Sequence, residues 1–316
     1  MRGSDVRNPF VPAALRYVDQ VARSGSIQQA ARELRVAASA IDRQILLLEQ
    51  DLGVQLFERR PRGMRLTASG EAIVGLIRRW RMEERRAVAE IQRLQGIQQG
   101  HVRLFAMDSH ATSVLPRLVE GVAAAHPLIS LDIEIGSPDD AAPALAAGRA
   151  DIAIAFNLPP RRDLQVLWRD DLPFGCVVAP GHPLAKAASV SLQEISSHPV
   201  VLQSRTLAIR RFLDAKYGWL FSELKGQIES NSLQLMKQLA CSGRYALITS
   251  ELDAAPELIS GALAFVPVRD KGAEPQSISV AVEAKGLDSV VRLVANRAVD
   301  TLQACLADVR GVRGQA

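Results

Sequence analysis

The chain has 316 residues, 48% of them hydrophobic, which predicts two or more domains and excludes a wholly disordered protein. An aromatic content of only 4% argues against a protein that holds single-stranded nucleic acid mainly by base stacking. The charge is uneven: residues 1–100 carry 17 arginines, no lysine and 11 acids, a net +6, and residues 101–316 carry 21 basic and 23 acidic residues, a net −2. Unless it is an accident of composition, this asymmetry predicts that only the front of the chain contacts a polyanion.

Three short helices are predicted at the front of the chain. An apolar stripe with Pro12 near its start and Gly25 after its end predicts the first helix. Ser26 and Gln29 form a capping-box signature that begins the second. The third helix, which Gly53 ends, is predicted from apolar residues at steps of four, three and four, namely Ile41, Ile45, Leu48 and Leu52.

Two strand-like runs on either side of Pro61-Arg62-Gly63 predict a hairpin after the third helix. Three helices and an arginine-bearing hairpin make a winged helix-turn-helix. In such a domain the third helix enters a major groove, and the hairpin contacts phosphates or the minor groove. The predicted DNA-binding residues are Ser26, Gln28, Ser39, Asp42, Arg43, Arg59, Arg60, Arg62 and Arg65.

Asp42 is unexpected on the face of the third helix, because an acidic side chain there would lie close to the negatively charged DNA. With Ser39 it forms a second capping-box pattern, and near a helix N-terminus the helix dipole favours it by about 0.3–1 kcal/mol. It can instead hold the Arg43 side chain in one rotamer, or accept a hydrogen bond from the N4 amino group of a cytosine. Arg43 is the better candidate for a base or phosphate contact, the alternative being a solvated surface arginine.

Three motifs lie in one stretch of the chain, from about Leu15 to Glu71. They are the alanine pair in SGSIQQAAREL, the run LEQDLGVQLFER, and LTASGE. With these motifs the segment resembles the N-terminal domain of LysR-type transcriptional regulators. That family often has Ser-Gln-Pro-Ala-Val-Ser where this chain reads AASAID at 37–42. The changed positions are those expected to face DNA, so the target sequence is not carried over from relatives.

A long helix is predicted from Thr67, a suitable N-cap, to about Gln95. Its apolar positions alternate at steps of four and three with one polar break, as in a coiled-coil seam. The seam comprises Ile73, Ile77, Trp80, Glu84, Ala87, Ile91 and Leu94. Five arginines between residues 78 and 86 are interpreted as a solvated face. The seam either packs on its own domain or pairs two chains, and the family resemblance implies a dimerising linker helix.

Beyond Gly100, short apolar strands alternate with helices, the order expected for a mostly parallel sheet covered by helices. The phrases LAAGRADIAI, GHPLA and ESNSLQLMKQLACSG resemble the effector-binding domain of the same family. That domain is similar to periplasmic solute-binding proteins, so the resemblance implies an α/β domain with two lobes, two crossings and a ligand in the cleft. The ligand is expected to be a small organic anion.

The predicted domains are a winged helix-turn-helix at 1–66, a dimerising linker helix at 67–97 and an effector-binding domain at 98–316. Within the last, lobe I is expected at about 101–176 and 277–310, and lobe II at about 177–276.

Cleft residues are expected at strand ends and helix N-termini. Hydroxyls and free backbone N–H groups there suit a carboxylate, and an arginine can bind one in a bidentate manner. The predicted effector-binding residues are Ser109, His110, Thr112, Asn157, Ser204, Arg205, Thr206 and Asn231. Ordinary alternatives stay open, since Ser109 or Asn231 can be only a helix cap. Arg205 can likewise be a surface residue, and His110 a packed neutral side chain.

Cys176, Cys241 and Cys305 are far apart, without a CxxC pair or a His/Cys cluster, so we expect reduced thiols, no metal and no cofactor. Ser109 and His110 are adjacent without an evident orienting acid, and no phosphate-binding fingerprint is present, so no enzymatic activity is expected. The N-terminal residues do not read as a signal peptide, and no run of 18 apolar residues predicts a membrane span. A cytoplasmic location is therefore expected.

The combination predicts a ligand-responsive transcriptional regulator. A solute-binding protein without a DNA role would leave the arginine-rich front unexplained, and an architectural DNA protein would not need the large rear domain. The expected partners are double-stranded promoter DNA, a small-molecule effector, RNA polymerase and further copies of the chain, as a homodimer or homotetramer.

Overall fold

The computed structural model describes residues 11–60, 63–94, 100–205, 208–222, 228–270, 275–284 and 287–313. The chain divides into two compact units near residue 97, with Ala147–Arg149 grouped with the first. The elements of the first unit are α1 (Ala13–Ser24), α2 (Ile27–Leu34), α3 (Ala38–Leu52), β1 (Phe57–Arg60), β2 (Gly63–Leu66) and α4 (Ala68–Leu94). The predicted three helices, hairpin and long helix are confirmed.

The core of the first unit is built from the predicted apolar stripes. Val18 and Val21 of α1 are buried against Ile41 and Ile45 of α3, and the alanine pair of α2 lets these helices approach closely. Burying each of the larger side chains stabilises the fold by about 1.5–3 kcal/mol. Gly25 and Gly53 end α1 and α3 with φ of 68°, a backbone conformation that glycine adopts without strain.

The hairpin of β1 and β2, here called the wing, is fixed against the turn between α1 and α2. The Met64 N–H donates a hydrogen bond to the Gly25 carbonyl oxygen at 2.8 Å. A Cβ on Gly63 would lie 2.4 Å from the same oxygen, so the close approach requires glycine at this position. The wing is therefore held at a defined distance from the helices.

The second unit alternates strands and helices. Its strands are β3 (Gly100–Ala106), β4 (Ile129–Ile135), β5 (Ile152–Phe156), β6 (Leu164–Leu172), β7 (Phe174–Val178), β8 (Val200–Gln203), β9 (Ile228–Ser230), β10 (Ala246–Ser250), β11 (Ala264–Pro267) and β12 (Gln276–Glu283). Its helices of five residues or more are α5 (Val114–Ala125), α6 (Pro138–Ala146), α7 (Leu192–Ser196), α8 (Ala208–Ser222), α9 (Leu233–Cys241), α10 (Ala255–Ile259) and α11 (Ser289–Arg313).

These strands form two five-stranded sheets, which are the predicted two lobes. The first sheet has the order β4-β3-β5-β12-β6 and the second the order β11-β7-β10-β8-β9. In the first sheet only β12 runs antiparallel to its neighbours, and in the second only β7 does so. The chain passes to the second sheet between Leu172 and Phe174 and returns between Pro267 and Gln276. The chain thus crosses between the sheets twice, the first time a few residues before the expected limit of lobe I.

The three cysteines all lie in the second unit. All three are free thiols, and Cys176 and Cys305 are buried. Burial raises the pKa of Cys176 to about 12 and also raises the pKa values of Cys241 and Cys305, so a reactive thiolate is disfavoured at each. Within the described part of the chain, no helix is long and apolar enough to cross a membrane.

Candidate functional site

The exposed face of α3 carries side chains predicted to read DNA. Ser39 and Arg43 are exposed on this helix, and Gln28 is exposed at the start of α2. Arg43 has no hydrogen bond or ion pair to any other residue in the described ranges. Its guanidinium is therefore available for a phosphate or a base edge.

Ser26 has the local role that its sequence pattern predicted. Its Oγ accepts a hydrogen bond from the Gln29 N–H at 3.4 Å, which caps α2. The Gln29 side chain donates to Glu33 at 3.0 Å instead of returning to the cap, so half of the predicted capping box forms. Ser26 thus positions α2, and its contact with DNA stays a prediction.

The predicted capping role of Asp42 is wrong. The helix α3 begins at Ala38, with Ala37 as an N-cap that makes no side-chain bond, so Asp42 lies beyond the first turn. Its Oδ1 accepts a hydrogen bond from Nη2 of Arg59 at 2.5 Å. The arginine that Asp42 orients is therefore on the wing, and is not Arg43 as expected.

The wing arginines lie on two faces of the hairpin. Side chains alternate along a strand, so Arg59 is directed to the side opposite Glu58 and Arg60. Arg60 pairs with Glu58 at 2.9 Å, and exposed Arg65 stands opposite Glu58 in the ladder. Arg62 lies outside the described residues. One face of the wing is thus coupled to α3, while the other presents arginines independently.

A buried carboxylate joins α1 to the long helix α4. Asp19 has no exposed surface and pairs with Arg23 at 3.2 Å, with Arg78 at 3.6 Å and with Arg81. Burial lowers the pKa values of Arg78 and Arg81, and the nearby Asp19 opposes that shift. The interpretation of these two arginines as part of a solvated face is therefore wrong, because they anchor α4 to the domain.

The predicted seam of α4 divides into two parts. Ile77 is buried in the core of the first unit and Ile73 is half-buried against it. Farther along, Trp80 is 47% exposed and Ile91 is 51% exposed. The start of the seam therefore packs on its own domain, while pairing of two chains through the later, exposed positions stays a prediction.

In the second unit, a cavity lies where strands of both sheets end. It encloses about 640 Å³ of space, including its open mouth. Its lining residues are Met107, Asp108, Ser109, Gly136, Ser137, Pro138, Phe156, Gln203, Ile209, Asn231, Leu233, Met236, Thr249, Asp253 and Gln276. Most of them follow the carboxyl ends of parallel strands, where α/β sheets bind ligands.

Four buried polar side chains of this lining have unsatisfied atoms. Ser109 Oγ, Gln203 Oε1, Asp253 Oδ1 and Gln276 Nε2 find no hydrogen-bond partner among the residues that the structure describes. Buried polar groups without a partner are uncommon in folded proteins. Their convergence on one cavity indicates a ligand-binding site.

His110 is adjacent to this site without lining it. The ring is fully buried, with its centroid 5.8 Å from that of Phe156. Burial lowers the pKa of His110 to about 4, although Asp253 opposes the shift. The histidine is therefore neutral near pH 7, and the alternative of a packed side chain describes it best.

The other predicted effector-binding residues are placed as follows. Ser109 and Asn231 line the cavity. Thr112 is exposed outside it, and Ser204 bonds through its N–H to the Ser230 carbonyl oxygen. Thr206 lies outside the described residues.

Asn157 and Arg205 also lie away from the lining. Asn157 adopts a positive φ of 52° and binds the backbone of Ser277 through its N–H and its Oδ1, which ties the end of β5 to the start of β12. Arg205 is 78% exposed and pairs with Asp214 at 3.2 Å. The expected bidentate contact of Arg205 with a ligand in this cavity is therefore not supported.

The sequence pattern missed the most buried polar groups of the site. Gln203 ends β8, Asp253 follows β10 and Gln276 begins β12. The strand-end rule applied to every strand would have selected the first two. Gln276 belongs to an antiparallel strand, for which that rule gives no signal.

A winged helix-turn-helix with free arginines, joined in one chain to a two-sheet domain whose cavity holds unsatisfied polar atoms, defines a DNA-binding protein of the ligand-responsive class. Residues 12–71 match the family model described as the bacterial regulatory helix-turn-helix protein, lysR family, and residues 95–303 match the LysR substrate binding domain. The chain belongs to the LysR family of transcriptional regulators. Membership of this family places it among regulators and not among enzymes.

Individual relatives agree with this assignment. The chain is 30% identical over 234 residues to the probable nitrogen assimilation transcriptional activator of Synechococcus elongatus. The aligned region covers 73% of this chain and 74% of that protein. A full-length OxyR variant from Pseudomonas aeruginosa is similar in fold, with a TM-score of 0.62, 19% identity and 93% of each chain covered. Full-length CbnR in complex with its target DNA has a TM-score of 0.58 and 19% identity, over 92% of this chain and 98% of that one.

Proposed function

We propose that this regulator binds promoter DNA as a homodimer or homotetramer and changes its action when a small molecule occupies the cavity of the second unit. The observation that carries the proposal is the set of unsatisfied buried polar atoms where the strands of both sheets end. A cytoplasmic location is expected of a protein that acts on DNA.

The DNA contact is assigned to α3 and the wing. Arg43 supplies a free guanidinium, and Arg59 is held by Asp42 beside the same helix. Arginines bind phosphates and guanine edges, and phosphate contacts provide much of the affinity. CbnR, whose fold this chain shares, has been solved with its target DNA, which supports the same partner here.

The oligomer is assigned to the later part of α4. Trp80 and Ile91 are large apolar side chains left exposed on a helix with coiled-coil spacing. Pairing two copies through them buries this surface and joins two DNA-reading domains. The operator is then an interrupted palindrome with half-sites about 34–36 Å apart or a multiple of that spacing.

The effector acts by binding one arrangement of the two lobes better than another. Ser109, from the end of β3, and Gln203, from the end of β8, come from different sheets, so a ligand that contacts both distinguishes lobe arrangements. A change in the lobes alters DNA bending and the recruitment of RNA polymerase. A small organic anion was the expected ligand, but no lysine or arginine lines the cavity in the described residues.

The proposal is tested by binding purified full-length protein to DNA from upstream of its own gene, with and without candidate small molecules, by fluorescence anisotropy. We expect specific binding that weakens steeply with salt, and a changed affinity or anisotropy with an active ligand. Equal affinity for unrelated DNA at every salt concentration would contradict the proposal.

A further inference from the structure

The carboxylate of Asp253 is an uncompensated charge in the cavity wall. The side chain is 6% exposed. Its Oδ2 accepts hydrogen bonds from Thr249 Oγ1 at 2.7 Å and from the Ser250 N–H at 3.4 Å. Its Oδ1 has no partner in the described residues. The residues around Asp253 thus satisfy one carboxylate oxygen, Oδ2, and leave the other, Oδ1, available to a hydrogen-bond donor on a ligand.

The two other buried carboxylates among the described residues of the second unit pair with cations. Glu251, two residues before Asp253, accepts from Arg310 at 2.7 Å, and Asp151 pairs with Arg103 at 2.6 Å. Asp253 has no ion pair with a described residue. Buried charges in proteins are normally paired, so Asp253 departs from the pattern of its own fold.

Two groups near the cavity that could supply a counter-charge, Arg210 and His110, are already engaged or neutral. Arg210 is buried close to the lining and pairs with Asp214 at 2.7 Å and with Glu229 at 3.5 Å. Burial lowers the pKa of His110 to about 4, so that ring carries no charge near pH 7. The second acid of the lining, Asp108, adds negative charge at the mouth.

The other unsatisfied polar atoms of the lining also favour a ligand that carries a hydrogen-bond donor. Gln203 Nε2 is fixed to the Ile248 carbonyl oxygen at 2.6 Å, which leaves Oε1 of this buried amide as a free acceptor. Oε1 of Gln203 and Oδ1 of Asp253 are thus two acceptors in one lining, with Gln276 Nε2 as a donor. The rest is largely apolar, with Met107, Phe156, Ile209, Leu233 and Met236.

We propose that the effector carries a protonated amine, which pairs with Asp253 Oδ1, on a small apolar body that fills the cavity. This inference rests on the proposed function, because it names the chemistry of the ligand at that site. It replaces the expected organic anion, since a lone carboxylate ligand would meet Asp253 and Asp108 without a basic side chain to bind.

The test compares amines with acids and alcohols of the same skeleton on the full-length protein. The probes are n-butylamine, benzylamine and 2-phenylethylamine, each with its matched carboxylate and alcohol, measured by thermal shift and calorimetry. We expect at least one amine to bind about tenfold or more tighter than its matched acid and alcohol, as for a charge-assisted hydrogen bond. Carboxylates that bind as tightly as the amines, or amines that all fail to bind, would overturn the proposal.

The variant Asp253→Asn keeps the shape and removes the charge. We expect it to lose the preference for amines and, without ligand, to melt about 2–5 °C higher, because an unpaired buried charge is removed. The control Asp132→Asn makes the same change of charge on an exposed position of β4 and should alter neither quantity. A lower melting temperature for Asp253→Asn would show that the carboxylate is structural and would overturn the proposal.

Operator binding, measured on the same preparations, separates this inference from the proposed function. If the protein binds its operator but prefers carboxylates, only the inference that the effector is an amine is contradicted. Protein that binds no operator contradicts the proposed function itself.

Discussion

At the level of single residues, the ion pair between Asp42 and Arg59 decides how a wing arginine is presented to DNA. The pair is partly exposed, so its own stabilisation is modest, about 0.2–1 kcal/mol. Its importance lies in orientation, because Arg59 is held beside α3 before DNA arrives.

This pair makes a prediction for DNA binding. In a double-mutant cycle of Asp42→Ser and Arg59→Ala, we expect a coupling of about 0.5–1 kcal/mol in the binding free energy. The matched cycle of Asp42→Ser with Arg65→Ala, on the other face of the wing, should be additive. Additivity in both cycles, together with a changed base preference in Asp42→Ser, would instead make Asp42 a direct reader of a base.

His110 makes a second residue-level prediction, on pH. Its folded pKa of about 4 lies below the usual value of 6.5, so the unfolded chain binds more protons between these values. Stability from this group is complete above about pH 6.5 and is lost as the pH falls toward 4. From about pH 7.5 to about pH 5, His110 should contribute a loss of roughly 2 kcal/mol.

The measurement is urea unfolding of the wild type and of His110→Gln at both pH values, followed by circular dichroism. The variant should lose less stability than the wild type over this range. An equal loss in both proteins would show that the histidine is not buried as a neutral ring.

Residue patterns predicted part of the candidate site. Ser109 was expected at a cleft because it follows a strand, and Asn231 because it starts a helix, and both line the cavity. Arg205 follows a strand too, but its side chain turns to Asp214 and solvent. Strand ends fix where a backbone lies, whereas the direction of a long side chain depends on its partners in the folded chain.

At the level of elements, α4 combines an anchored start with an exposed apolar continuation. Asp19 pairs with Arg78 and Arg81 and fixes the helix to its domain. Trp80 lies between those arginines in sequence yet is 47% exposed. The helix is therefore anchored to its own DNA-binding domain and leaves exposed the apolar stripe that we propose pairs two copies of the chain.

The exposed stripe predicts the effect of Trp80→Glu on assembly. Burying a charge in the seam should weaken dimerisation by about thirtyfold or more, the effect of losing roughly 2 kcal/mol at an interface hot spot. Analytical ultracentrifugation across micromolar concentrations measures this. Val166→Glu, on the exposed strand β6, is the matched control and should leave the oligomer intact. A Trp80→Glu protein that assembles like the wild type would exclude this stripe as the interface.

Some elements were not recognisable from local pattern. The buried strand β5 reads as a continuous apolar run, as expected of the short apolar strands predicted beyond Gly100. The strand β6 has the sequence LQVLWRDDL and is largely exposed, so it lacks both an apolar run and a clean alternation. The helix α8 is interrupted at Tyr217, where φ is −131°, and this break weakens its helical period. Both depend on tertiary partners more than on their own sequence.

At the level of the whole molecule, charge and chemistry are divided between the two units. The first unit carries the arginines of α3 and the wing. The second carries a largely apolar cavity whose lining includes two acids, Asp108 and Asp253. The order of elements predicted the winged helix-turn-helix and a mostly parallel sheet covered by helices, because apolar periodicity and turn residues act locally, whereas the two lobes were implied by the family resemblance. The register of the sheets and the contents of the cavity arise from distant segments that meet only in the folded chain.

The first unit is expected to read a palindromic operator for a regulator assembled from identical chains. A DNase I footprint of the full-length protein on DNA upstream of its own gene tests this most directly, with Arg43→Gln compared with the control Arg169→Gln in the second unit. We predict two protected half-sites separated by about one helical turn or a multiple of it, lost with Arg43→Gln and retained with Arg169→Gln. No protection even at low salt, where phosphate contacts are strongest, or equal protection by both variants, would contradict the account.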